Sequence, residues 1–167
     1  GDGLFERFPC DEIYAIHNWP NADLGWVGTT PGVAMAASNN FDIEIVGKGA
    51  HGAMPQQAND PVVVAVAIAQ ALQTIVSRNV EPLKTGILSV TQIHAGSAYN
   101  VIPESAALHG TLRSFDNAVQ QLMIRRLKEI AQGLGQAFGA TVSVKIIPGF
   151  NALANSPAVT QTIANWA

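Results

Sequence analysis

Residues Gly47–Pro55 read GKGAHGAMP and set one imidazole, His51, among three glycines and a proline. Histidine titrates near neutral pH and can donate or accept a proton, ligate a metal, or hold an N–H toward developing negative charge. Glycines let a backbone bend and come close to something else. The stretch therefore reads either as a sharp surface turn or as an imidazole held out toward a ligand. Three more residues carry chemistry. His17 lies at the end of Asp11–His17, DEIYAIH, which alternates as a short buried strand; a strand-end imidazole suits a divalent metal, and a satisfied core histidine is the alternative. Asn100, in YNVIP, falls in a turn, where asparagine also occurs for its own backbone chemistry. Arg113 stands among Ala, Leu, Thr and Ser, suited to bidentate binding of a carboxylate, or else a snorkelling edge arginine.

Regular elements must position these groups. Phe41, Ile43 and Ile45 alternate with Asp42, Glu44 and Val46, the period of a half-buried strand. Asp60 and Pro61 then read as the N-cap and first residue of a helix running to about Ser77. Its apolar coverage is broad enough to predict burial on more than one face. TGILSVTQIHA (85–95) predicts a strand with Ile87, Ser89, Thr91 and Ile93 on one face and Leu88, Val90, Gln92 and His94 on the other. SAALHGTLRSF (105–115) predicts the next strand. Asp116 caps a helix to about Phe138, closed by Gly139, and TVSVKII (141–147) ends the series. The order strand, helix, strand, strand, helix, strand predicts an α+β fold. It is a ferredoxin-like βαββαβ sandwich, with a four-stranded antiparallel sheet and both helices on one face. Residues 1–37 and 150–167 fall outside the 38–149 unit and read as pieces of a larger body into which it is inserted; both ends of the chain read as excised from something longer.

Bulk properties narrow the function. Of 167 residues, 48% are hydrophobic and 13% charged, which predicts a neutral surface and a buried interface. Net charge is −3 and no basic run occurs, so nucleic acid is not expected as a partner. The apolar run Pro61–Leu72 is too short for a membrane span, and no membrane association is expected. The single cysteine, Cys10, excludes an internal disulfide, reads as an idle or buried thiol, and fits a reducing cytoplasm. There is no Gly-x-Ser-x-Gly nucleophile elbow and no phosphate-binding glycine loop.

Four phrases together are more specific than their members: DGLFERFPCDEIYAIHNWP, GKGAHGAMPQQANDPVVVAVAIAQALQTIVSRNV, LSVTQIHAGSAYNVIPESAALHGTLRSFD and IAQGLGQAFGATVSV. They resemble the metal-dependent amidohydrolases of the aminoacylase and hippurate-hydrolase type, within the carboxypeptidase-G2-like peptidase group. The resemblance covers nearly the whole chain. It implies a lid domain that dimerises, inserted into an α/β catalytic domain with two divalent metal ions (Zn, Mn or Co), and an N-acyl amino acid as substrate. It implies that His17 is a metal ligand. It implies that His51 is a catalytic histidine lent to the partner subunit's active site, where it would meet the scissile carbonyl or the oxyanion. It implies that Asn100 and Arg113 are substrate-binding residues, Arg113 for the carboxylate. The family's other metal ligands and its glutamate base have no match here, so this polypeptide alone is expected to be inactive and to hold no stable metal pair. A non-catalytic ferredoxin-like module that binds a small ligand or dimerises is the alternative. Strand 86–95 is expected at the edge through which two copies pair.

Overall fold

The computed structural model describes residues 2–166. In chain order the elements are α1 (Leu4–Arg7), β1 (Gly32–Met35), β2 (Ala37–Val46), β3 (Ala50–His51), α2 (Pro61–Asn79), β4 (Gly86–Ala95) and β5 (Val101–Ile102). They continue with β6 (Ser105–Ser114), α3 (Asn117–Ala137), β7 (Thr141–Pro148), β8 (Leu153–Asn155) and α4 (Pro157–Trp166). Two compact units form: Met35–Leu153, and the described residues up to Ala34 together with those from Ala154 onward.

The larger unit is the expected sandwich. Its sheet is antiparallel in the order β4-β6-β2-β7, so the first strand in sequence is central and β4 and β7 are the edges. Alternation along β2 buries Phe41, Ile43 and Ile45 completely, and Leu108 and Leu112 of β6 join them on the same face. Both helices cover that face. α2 contributes Val64, Ala65, Ile68, Leu72 and Ile75, and α3 contributes Val119, Met123, Leu127 and Ala131. α2 packs over β4 and β6, whereas α3 packs over β7 and β6. Neither α2 nor α3 covers the opposite face of the sheet, which presents Asn40, Asp42, Glu44, His109, Thr111, Arg113 and Lys145.

The helix ends follow from their caps. Asp60 accepts from the Val62 N–H at 2.8 Å, ahead of Pro61, whose missing N–H is harmless at that position. Asp116 accepts from Ala118 and Val119, and Ser114 donates its hydroxyl to the Asp116 carbonyl. α3 stops where Gly139 takes φ of +73°, and Ala140 donates back to the Gly135 carbonyl at 2.9 Å.

Five expectations need correction. β4 does not alternate without interruption: its register slips between Val90 and Gln92, leaving Thr91 as an extra residue. The bulge exchanges the faces beyond it, so Gln92 and His94 join Ile87 and Ser89 on the open face while Ile93 turns to the helix side. α2 buries one stripe within the chain, and Val62, Val63 and Val66 stay exposed. The apolar run is also longer than Pro61–Leu72, extending through the helix that ends at Asn79 as expected to within two residues. By length and composition it matches a membrane span, although its buried stripe packs on the sheet. Finally, Asp11–His17 forms no strand. Ile13 and Ile16 are exposed, because alternation alone makes no strand without a neighbour to complete its hydrogen bonds. Cys10, in the same stretch, is exposed, so of the two alternatives for its thiol the buried one does not hold.

Candidate functional site

The GKGAHGAMP segment is a pinned structure rather than a loose turn. β3 pairs antiparallel with β5, with Ala50 opposite Ile102 and His51 opposite Val101. The Gly52 N–H donates to the Asn100 carbonyl at 2.7 Å, and Gly47 donates to the Glu104 carbonyl at 2.9 Å. Lys48 and Asn59 exchange both backbone hydrogen bonds, and the Asn59 amide donates to the Gly139 carbonyl at 2.8 Å. The local glycines have negative φ, so they are not there for a left-handed turn. They are there for close approach. A Cβ on Gly47 would lie 2.1 Å from the Asn59 carbonyl oxygen, and one on Gly49 would lie 2.8 Å from that of Ile102.

This ribbon brings the backbones of His51 and Asn100, far apart in the sequence, within one residue of each other across the pairing. His51 and Val101 are a cross-strand pair and project from the same face, with Asn100 one residue along. The His51 ring accepts a hydrogen bond from the Ala53 N–H at Nδ1, 3.1 Å away. A neutral imidazole accepting at Nδ1 carries its proton on Nε2, so the free edge of the ring is a donor. The side chain is exposed, as are Met54, Tyr99 and Val101 around it. His51 and Asn100 line neither of the two described cavities; the larger, about 340 Å³, touches Ala37, Phe115 and Gln120 instead. A ligand at His51 therefore needs walls from outside this unit.

Arg113 is not part of that cluster within one chain. It pairs with Ser38 and Ile87 at the other end of the sheet. Ser105, beside the ribbon, and Arg113 are eight residues apart along β6, roughly 26 Å. The guanidinium lies on the open face and donates to the Thr111 hydroxyl and, at 3.0 Å, to the Leu112 carbonyl. Two fixed donor contacts hold the fork in place and leave its remaining N–H groups free for a carboxylate.

His17 belongs to the other unit. It is exposed, and its Nδ1 contacts the Asn18 carbonyl at 2.7 Å, so that nitrogen carries the proton and Nε2 is the free lone pair. Among the described residues no three His, Cys, Asp or Glu side chains converge on a point. The residues present do not fit a two-metal site. Sequence reading passed over one more group: Asp42 and His109, paired across β2 and β6, with His94 against His109. Only the register and the bulge bring them together, and neither can be read from spacing.

Residues 35–138 match the family described as the peptidase dimerisation domain, of M20 type. Among curated proteins, the chain is 40% identical over 157 residues to an N-acetyl-L-cysteine deacetylase of Bacillus subtilis, covering 94% of this chain and 38% of that protein. It is 38% identical over 136 residues to a hippurate hydrolase of Campylobacter jejuni, covering 81% and 36%. Among solved structures it is similar to a Bacillus subtilis protein described as a dinuclear metal-binding peptidase of the M20 family. That likeness has 27% identity and a TM-score of 0.68, over 89% of this chain and 36% of the other. The chain thus spans about two fifths of the length of the curated relatives it matches.

Proposed function

Because the chain belongs to the M20 peptidase dimerisation domain family, we propose that it is the lid and dimerisation region of a metal-dependent amidohydrolase that cleaves N-acyl amino acids. On this reading residues 38–149 are the lid, and 1–37 and 150–167 belong to a catalytic domain. The observation that carries the reading is the β3–β5 ribbon, which pins His51 on an exposed projection next to the turn that holds Asn100.

The chemistry follows from those groups. Water attacking an amide carbonyl produces a tetrahedral oxyanion. A fixed N–H donor aimed at that oxygen favours the transition state over the ground state, an effect often worth roughly 3 kcal/mol. His51 supplies that donor and Asn100 a second polar contact to the substrate. Arg113 takes the substrate carboxylate. A short N-acyl amino acid cannot span the roughly 26 Å between the Arg113 end of β6 and the ribbon. Each site therefore combines Arg113 of one chain with His51 and Asn100 of another. The described residues of this chain form no metal pair; in the parent enzyme His17 would be one ligand, and the metals would be zinc, manganese or cobalt.

The pairing edge is β4. Its sequence GILSVTQIHA has no charged residue apart from its histidine and no proline, whereas β7 carries Lys145 and ends in Pro148, features that discourage strand addition. Ile93 of β4 and Val62, Val63 and Val66 of α2, the helix packed over β4 and β6, are exposed apolar side chains. The setting proposed is the reducing cytoplasm, where the exposed Cys10 stays free. Hydrolysis of a panel of N-acyl amino acids by the full-length enzyme, with added Zn²⁺, Mn²⁺ or Co²⁺, tests the reading. Metal-dependent release of free amino acid is expected; dimeric full-length protein with no amidase activity toward any of them would leave a binding or dimerisation module instead.

A further inference from the structure

Asp42, Gln92, His94 and His109 meet on the open face of the sheet, away from the His51 ribbon. His109 Nδ1 lies 2.6 Å from Asp42 Oδ1, and His94 Nε2 lies 2.9 Å from Gln92 Oε1. A carboxylate and an amide oxygen can only accept, so these two ring nitrogens carry the protons. The lone pairs that remain are at His109 Nε2 and His94 Nδ1. The two nitrogens of an imidazole point to opposite sides of the ring. β6 runs between β2 and β4, so with Nδ1 of His109 turned to Asp42 on β2, its Nε2 faces β4, where His94 sits. The ring centroids are 5.7 Å apart.

We propose that His94 and His109 form a binding site for one divalent transition-metal ion. Metal–nitrogen bonds of about 2.0–2.1 Å put each ring centroid about 3.2 Å from a shared ion, so two imidazoles at angles from 90° to linear have centroids about 4.5–6.4 Å apart. The observed separation falls inside that window. Each ring is already oriented by a hydrogen bond that its other nitrogen donates, in His109 to a carboxylate, the arrangement that fixes the tautomer of metal-ligating histidines. The Thr91 bulge is what puts the pair on one face: without the extra residue Thr91 would stand opposite His109, and His94 would turn toward the helices. Two imidazole ligands select Cu²⁺, Ni²⁺ or Zn²⁺ over Mg²⁺ or Ca²⁺. No third His, Cys, Asp or Glu among the described residues converges there, so water completes the coordination. A bound ion would tie the edge strand β4 to β6 across the bulge.

The test is titration of the 167-residue chain with Cu²⁺ at neutral pH, followed by calorimetry and by electron paramagnetic resonance, which counts nitrogen ligands. One ion per chain with two imidazole nitrogens is expected. His94→Asn and His109→Asn should each weaken binding by at least about tenfold, and Asp42→Asn by about tenfold, with circular dichroism unchanged. Binding that is absent in the wild-type chain, that survives in the His94→Asn/His109→Asn double variant, or that is lost instead in His17→Asn or His51→Asn, would overturn the proposal.

Discussion

A neutral imidazole that accepts a backbone hydrogen bond at Nδ1 has one N–H to offer, at Nε2, and His51 is such a ring. If that N–H meets the oxyanion, His51→Ala in the full-length enzyme should lower kcat by about 10²-fold or more and leave KM and the dimer largely unchanged. Steady-state kinetics beside size-exclusion chromatography check both halves; a loss confined to KM would move His51 to substrate binding. A second single-residue prediction concerns Asp116. Its carboxyl is held below the usual carboxylate range, first by the Lys84 ammonium 3.0 Å away and then by the Ala118 and Val119 N–H groups. The unfolded chain therefore binds more protons in acid than the folded one does. The stabilisation is present above the ordinary aspartate pKa and is lost as pH falls through the lowered value. Thermal melts should show Asp116→Asn with a lower Tm than wild type at neutral pH and a shallower decline below about pH 4, where the two curves converge. Parallel curves would mean that this cap contributes nothing through its charge.

At the scale of elements, the ribbon depends on backbone contact that only glycine permits. Gly47→Ala places a methyl group on the Asn59 carbonyl, so the segment must move. The expected result is a lower Tm and a loss of activity similar to that of His51→Ala, although residue 47 touches no substrate. Wild-type kinetics in Gly47→Ala would show that the register of β3 does not matter. In the core, Leu108→Ala should cost about 2–5 kcal/mol in denaturant unfolding, since Leu108 is fully buried under both helices. Much of this layer was legible from residue order. Phe41, Ile43 and Ile45 declare the inner face of β2, and Asp60 and Asp116 mark both helix starts, because alternation and capping are local physics. The bulge was not legible, since TGILSVTQIHA alternates acceptably in either register and only pairing with β6 selects one. The 11–17 segment failed in the other direction: DEIYAIH has the pattern of a strand but no neighbour to pair with. The adjacency of His51 and Asn100 was readable only through resemblance, because a two-residue ribbon joining turns about fifty residues apart leaves no periodic trace.

For the whole molecule, the exposed apolar surface and the position of Arg113 point the same way. An edge strand without charged gatekeepers lies beside a helix with Val62, Val63 and Val66 uncovered, which is poor design for a monomer and suitable for a two-fold seam. Val66→Glu together with Ile93→Lys should shift the protein to monomer in sedimentation experiments and abolish turnover with it; a fully active monomer would separate the seam from the site. The composite site itself is tested most directly by mixing two inactive variants of the full-length enzyme, His51→Ala and Arg113→Ala, under conditions of subunit exchange. Half of the dimers are then mixed, and each mixed dimer has one site with Arg113 from one chain and His51 from the other. Recovery of about a quarter of wild-type activity is predicted. No recovery, with mixed dimers demonstrated in the sample, would mean that each chain builds its own site and would contradict the shared arrangement.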